Sequence, residues 1–311
     1  PKGGQAAVST PLFGTAGASE SFRAMGYKSS AQVPQYTAAM GLDAFEYQCG
    51  RGVRLGEALA KTIRAGAATH GIVFSLHAPY YISMSSMEEE QRLHSVDYIL
   101  QSAAAVRALG GRRVIFHAGS CGKQSREEAL AKALDTMARM QAALDEAGFE
   151  DITLCPETMG KVGQLGTLDE VLALCGVDRR ITPCIDFGHL NARDGGWIKG
   201  KEQYAFILDR MAEALGDERA VRFHVHFSRI EYTTGGEKRH LTFADTVFGP
   251  PFEPLLEEVC RRGLSPVIIC ESAGTQAEDA ATMKRYYQGL AGGLNGAPFC
   301  QKRVAKQPRV G

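Results

Sequence analysis

Six residues able to bind divalent cations or move protons recur along the 311-residue chain: His77, His117, Glu157, Asp186, His226 and Glu271. Successive members lie 40, 40, 29, 40 and 45 residues apart. Each closes a short apolar run: "SLHAP", "IFHAG", "CPETM", "CIDFG", "HVHFS" and "ICESA". Neutral imidazole and carboxylate are ligand types of zinc and manganese. Three carboxylates crowded into one partly dry site would repel one another and resist ionisation, and bound dications remove that penalty. Six donors exceed the four that one tetrahedral zinc takes, so the set predicts more than one metal. His189, three residues after Asp186, joins the same candidate set. A lone strand-end histidine is ordinarily a hydrogen-bonded structural residue, and a strand-end acid ordinarily caps the next helix. The coincidence of six strand ends is what favours the metal reading.

Such residues act together only if the elements carrying them converge. Eight short β-rich runs are present: "PLFGTAG", "DAFEYQC", "GIVFSLHA", "RRVIFHAG", "DITLCPET", "ITPCIDFG", "VRFHVHF" and "SPVIICES". Longer amphipathic segments separate them, including "LGEALAKTIRAGAATHG", "SREEALAKALDTMARMQAALDEAGF" and "FEPLLEEVCRRGL", and many end at glycine. Strands alternating with helices predict parallel pairing through crossovers. Eight such units predict an α/β fold, a single-domain (β/α)₈ TIM barrel, whose strand ends share one mouth. A doubly wound sheet would carry its glycine-rich phosphate turn first, and "FGTAGASESF" is not G-x-G-x-x-G. Alternation places His224, Cys155, Cys184 and Ser75 one layer beneath the strand-end set, with His224 expected to be a satisfied interior histidine. On the second strand Glu46 and Gln48 add polarity near the mouth, either to contact substrate or, for Glu46, as a structural hydrogen-bond partner.

The composition, 44% hydrophobic and 23% charged, is that of a globular protein. Lys+Arg and Asp+Glu both number 35, so a polyanion would have to be met by a local patch rather than by net charge. Cationic residues follow several strands, among them Arg51, Arg54, Lys123, Lys161, Arg193, Lys199, Arg229, Lys238 and Arg239. On one face they would form a phosphate-binding rim. The eight cysteines include no C-x-x-C pair and predict reduced, buried thiols. With no apolar run of membrane-spanning length and no signal-like start, the expected setting is cytoplasmic. The domain is expected over residues 11–296, with a flexible start at 1–10 and a basic tail at 297–311; a monomer is favoured.

These residues resemble the endonuclease IV family of apurinic/apyrimidinic endonucleases over most of the chain, from "FGTAG" to "ICESAG". "CIDFGH" resembles that family's Cys-Ile-Asp-x-x-His motif, "HAPY" its His-x-x-Tyr, "FHAGS" its His-x-Gly strand end, and "PETMGKVGQLGT" its Glu-Asn-x-x-Gly segment. The resemblance implies a TIM barrel with a trinuclear zinc site, of which two or three ions are expected here, manganese being the alternative metal. His77, His117 and Glu157 would hold one ion. Glu157 would share a second with Asp186, His226 and Glu271, and His189 and His240 would hold a third. Incision of DNA 5′ to abasic sites is the implied activity, with Glu157 and Glu271 at the chemistry and Tyr80, Arg51, Arg193, Arg229 and Lys238 at the DNA. Two departures stand out. Lys238 lies two residues before His240, where the family has Asp, leaving Glu237 or Glu231 as substitutes; and strand one lacks the usual histidine. A sugar isomerase or epimerase is the alternative, using one metal on Glu157, Asp186, His226 and Glu271; it gives less reason for His77 and His117.

Overall fold

The protein is described by a computed structural model over residues 10–292. The expected basic tail and all but Thr10 of the expected flexible start lie outside those residues. Among the described residues ten strands form: β1 (Leu12–Ala16), β2 (Ala44–Gln48), β3 (Val73–His77), β4 (Arg113–Phe116), β5 (Thr153–Pro156), β6 (Cys184–Asp186), β7 (His224–Phe227), β8 (Ile230–Thr233), β9 (Gly236–His240) and β10 (Val267–Cys270). Eight of them make one parallel sheet in the order β5-β4-β3-β2-β1-β10-β7-β6. All eight strands expected from sequence are therefore present, and they curl into a TIM barrel. Its seam lies between β5 and β6. There the strands meet through Thr182 N–H to Leu154 O at 3.0 Å, Thr158 N–H to Cys184 O at 3.1 Å and a single parallel bridge, Glu157 with Cys184.

Helices cover the outside because each has one apolar face to bury. Ile63, Ile99, Met137, Leu174, Tyr204 and Val259, from six different helices, are all fully buried. Local signals set the ends. Ser125 with Glu128, and Thr167 with Glu170, form reciprocal capping boxes that satisfy orphan amides at the helix starts. Gly71, Gly216 and Gly263 terminate three helices in the left-handed conformation.

The sequence reading missed several elements. Helices Val33–Ala39, Phe187–Arg193 and Gln276–Gly292 form beyond those expected, as does a β8–β9 hairpin after the seventh barrel strand. The hairpin docks against the loop after β5, with Glu237 N–H donating to Gly160 O at 3.0 Å and Val162 N–H to Gly235 O at 3.2 Å. Gly236 sits at φ 89°, and a Cβ there would run into the Gly160 carbonyl, so the docking requires glycine on both grounds. Among the described residues, no helix is long and apolar enough to cross a membrane.

Candidate metal centre

Sheet register explains why the strand-end residues meet. Asp186 on β6 lies directly beside His226 on β7, and Gln48 on β2 beside His77 on β3. His117, Glu157 and Glu271 each stand one residue past the end of β4, β5 and β10. Glu157 is the hub. Its Oε2 lies 3.2 Å from both His77 Nε2 and His117 Nε2. Its Oε1 lies 3.1 Å from His226 Nδ1 and 3.3 Å from His189 Nδ1. One carboxylate thus turns an oxygen to each half of the site, the arrangement of a bridging ligand.

Three donor sets share this mouth: His77–His117–Glu157, Glu157–Asp186–His226–Glu271, and His189–Glu237–His240. Within each set the ligand atoms lie within 4.8 Å of one another. All eight residues expected as ligands are therefore brought together. The acid of the third set is Glu237, with Oε2 3.5 Å from His189 Nε2 and Oε1 3.5 Å from His240 Nε2. Glu231, the other substitute considered, instead pairs with Lys238 and Arg239, each at 2.6 Å.

The imidazoles are oriented from behind. His77 Nδ1 is 2.9 Å from Ala78 O, His189 Nδ1 2.9 Å from Thr158 O, and His240 Nδ1 2.8 Å from Ser228 Oγ. Donation of Nδ1–H to the two carbonyls leaves Nε2 of His77 and His189 as a lone pair for a cation. Asp186 has two tasks. Its Oδ1 accepts the His189 N–H at 2.7 Å and so caps the helix Phe187–Arg193. Its Oδ2 is buried and makes no hydrogen bond, lying 3.2 Å from His189 Nδ1 and within the Glu157–His226–Glu271 set. A buried carboxylate oxygen without a hydrogen bond is costly, and a cation is the partner that its donor neighbours would share. The residues therefore fit divalent metal ions.

The electrostatics follow from packing acids and imidazoles into a dry space. Burial acts against ionisation of Glu157, but His226, His117 and His189 hold it well below the usual carboxylate range. Burial pushes Glu271 up, and the neighbouring Glu157 and Asp186 add to the rise. Burial lowers His117, whereas in His189 the charges of Asp186, Glu157 and Glu237 outweigh burial and raise it strongly. Glu237 is drawn down to about 2 against its burial, by His240, His189 and Lys161.

Above the centre is an open cavity of about 570 Å³, lined by Gln48, Tyr80, Met159, Lys161 and Gln164 as well as the cluster residues. Tyr80, 58% exposed, stacks on His117 at 5.3 Å and 18°. Met159 and Gln164 escaped the sequence reading; the signal was the glycine-rich "PETMGKVGQLGT", whose loop forms that wall. Of the other residues expected at substrate, Arg51 borders a neighbouring depression that shares Gln48 with the main cavity. Arg193 donates to the carbonyls of Met159, Lys161, Val162 and Gln164, so its guanidinium shapes the β5 loop. Arg229 donates to the Asp245 carbonyl, and Lys238 forms an exposed pair with Glu231.

The layer beneath is as polar as expected. His224 is fully buried, with Nε2 2.9 Å from Glu46 Oε2, and Glu46 also accepts from Ser75 Oγ at 2.9 Å. Glu46 is fully buried too, which makes it a structural partner rather than a substrate contact.

The family model described as "Xylose isomerase-like TIM barrel" matches residues 34–288. An uncharacterized protein of Methanocaldococcus jannaschii is 32% identical over 88% of this chain and 96% of its own length. Curated relatives named probable endonuclease 4 match at lower identity. Among solved structures, endonuclease IV from Thermus thermophilus is similar with a TM-score of 0.62 and 22% identity, over 89% of this chain and 98% of that one. A D-tagatose 3-epimerase-like protein has a TM-score of 0.64 and 19% identity, over 89% and 97% of the two chains.

Proposed function

The chain belongs to the xylose isomerase-like TIM barrel family, and from that premise we propose that it is a zinc-dependent phosphodiester hydrolase that incises DNA 5′ to abasic sites. The observation that carries the reading is the pair His77 and His117 closing on Glu157. A single-metal sugar enzyme needs only Glu157, Asp186, His226 and Glu271; the two extra imidazoles and the His189–Glu237–His240 set provide for further ions. The relatives named endonuclease 4 support the same choice.

Bound dications would supply Lewis acidity, making water acidic near neutral pH and stabilising charge on a departing oxygen. His77 and His117 would hold one ion, Asp186, His226 and Glu271 a second, with Glu157 shared between them; His189, Glu237 and His240 would hold a third. Glu157 and Glu271 both line the cavity and would stand beside a phosphodiester bound in it. Lys161 and the amide of Gln164 offer donors to its oxygens from the cavity wall. Tyr80, exposed at the rim, presents a ring that can fill the gap left by a missing base. Arg51 supplies a phosphate contact beside the cavity, while Arg193 and Arg229 shape the loops that meet DNA. Lys238 reaches a phosphate by exchanging Glu231 for it.

The test is incubation with a duplex carrying one abasic site, before and after chelator treatment and after return of zinc or manganese. A nick leaving a 3′-hydroxyl, lost on chelation and restored by metal, is the expected result. The second reading rests on the self-sufficient Glu157–Asp186–His226–Glu271 set. Failure to incise with any metal, together with ketose turnover and one metal per chain, would establish it instead.

A further inference from the structure

We propose that Glu46 is a positioning residue for the metal centre, a buried carboxylate that backs His226 and so fixes the nitrogen that this histidine turns to a cation. The inference rests on the reading of the mouth as a metal site and adds a member no sequence spacing marks as a ligand.

The geometry runs in a chain through the barrel interior. His226 is fully buried, with Nδ1 facing Glu157 at 3.1 Å and Glu271 at 3.5 Å. Its other nitrogen, Nε2, lies 2.9 Å from Glu46 Oε1. That approach is off the axis of a hydrogen bond, so its effect is electrostatic. A carboxylate beside Nε2 favours the tautomer with the proton there, which leaves the Nδ1 lone pair aimed into the mouth.

The second oxygen of Glu46 is held in place. Oε2 accepts from Ser75 Oγ and lies 2.9 Å from His224 Nε2. On the far side of His224, Nδ1 is 3.5 Å from the guanidinium of Arg113. Arginine only donates, so Nδ1 of His224 is the acceptor and Nε2 carries the proton given to Glu46. Ser75, His224 and Arg113 therefore form a scaffold that locks Glu46 in one rotamer beneath His226.

The contrast with the other imidazoles identifies a special role. His77 and His240 are backed by a carbonyl and a hydroxyl, both neutral, while His189 Nδ1 is 2.9 Å from the Thr158 carbonyl and 3.2 and 3.3 Å from Asp186 and Glu157, acids of the mouth itself. His226 differs from these three in that the nitrogen turned away from the mouth faces a carboxylate of the layer beneath, and it serves the set that also holds Glu157, Asp186 and Glu271. An anion behind an imidazole raises its basicity as a ligand, and loss of such a partner typically weakens metal binding about 10–100-fold. A fully buried carboxylate is also expensive unless a cation compensates it, and a dication on Nδ1 of His226 would do so through the ring.

The experiment titrates Zn²⁺ against a chromophoric chelator in wild type, Glu46→Gln and Glu46→Asp, with Co²⁺ absorption spectra as a second readout. Wild type is expected to bind two or three zinc ions. Glu46→Gln, which keeps shape and loses charge, should weaken one equivalent about 10–100-fold while leaving the others within a few-fold, and should alter the Co²⁺ bands. Glu46→Asp, which keeps the charge but withdraws it by one methylene, should fall between. A general packing defect would weaken all equivalents together and would overturn the assignment, as would wild-type affinity in Glu46→Gln. If Glu46→Gln fails to fold, Glu46→Asp decides: a one-site loss supports the role and wild-type binding refutes it. Wild-type protein that binds neither zinc nor cobalt refutes the metal reading itself, a different outcome from a variant that binds normally.

Discussion

Glu157 touches four histidines through its two oxygens. Glu157→Gln should therefore lower incision more than about 100-fold and reduce the metal content, checked by turnover on the abasic duplex and by elemental analysis. Near-normal turnover would remove it as the bridge. The third set offers a sharper contrast. Glu237 faces His189 and His240, whereas Glu231 is occupied by Lys238 and Arg239. Glu237→Ala is expected to cost one metal equivalent, and Glu231→Ala none. The sequence alone left these two glutamates undecided, because both lie on a short polar stretch whose folding back no periodicity reveals. The convergence of His77, His117, Glu157, Asp186, His226 and Glu271 was legible, because each ends an apolar strand and strand ends of a barrel have a common destination.

At the scale of elements, the β8–β9 hairpin decides whether the third set exists. Its sequence, "RIEYTTGGEKRH", is polar and buries little, so it carries none of the apolar signal that marked the barrel strands. Gly236→Ala would set a side chain against the Gly160 carbonyl in a left-handed conformation. We expect loss of one metal equivalent with the far-ultraviolet circular dichroism unchanged; a full metal complement would show that docking tolerates the change. The helix Glu253–Arg262 gives a stability test far from the site. Glu258, fully buried, pairs with Arg261 and Arg262 at 2.6 and 2.8 Å, and Arg262 reaches Asp209 on the preceding helix. Burial opposes its ionisation, yet the two guanidinium groups bring its pKa from 4.5 to about 2. A carboxyl depressed on folding contributes stability that is full above about pH 4.5 and fades as the pH falls through about 2. Glu258→Gln should thus cost roughly 2 kcal/mol at pH 7, with the gap to wild type closing toward pH 2. Thermal unfolding across that range measures it, and a gap that is constant with pH would assign the effect to packing instead.

At the scale of the whole molecule, the candidate metal centre straddles the seam of the barrel. Glu157 follows β5 while Asp186 ends β6, and these two strands are joined by one bridge rather than a ladder. Cations shared by the two residues would staple the place where the barrel is least zipped. Each ion present at 100 times its dissociation constant adds about 2.7 kcal/mol to the folded state. Chelation should therefore lower the melting temperature by several degrees and speed hydrogen exchange at the Thr158 and Thr182 amides before others; uniform exchange would argue against a stapled seam. The barrel itself was determined by the sequence, because burying both faces of a parallel strand leaves an unbroken apolar run and each crossover helix leaves a periodic one. The identities of the strand-end donors were determined there too, since covalent order fixes which residue closes each run. Three things waited on the tertiary structure: Glu237 as the third acid, Glu46 behind His226, and the withdrawal of Arg193 into the β5 loop. All three depend on which side chains become neighbours across 29 to 180 positions of sequence. Such contacts are set by register, loop docking and burial, and the local pattern of residues does not encode them.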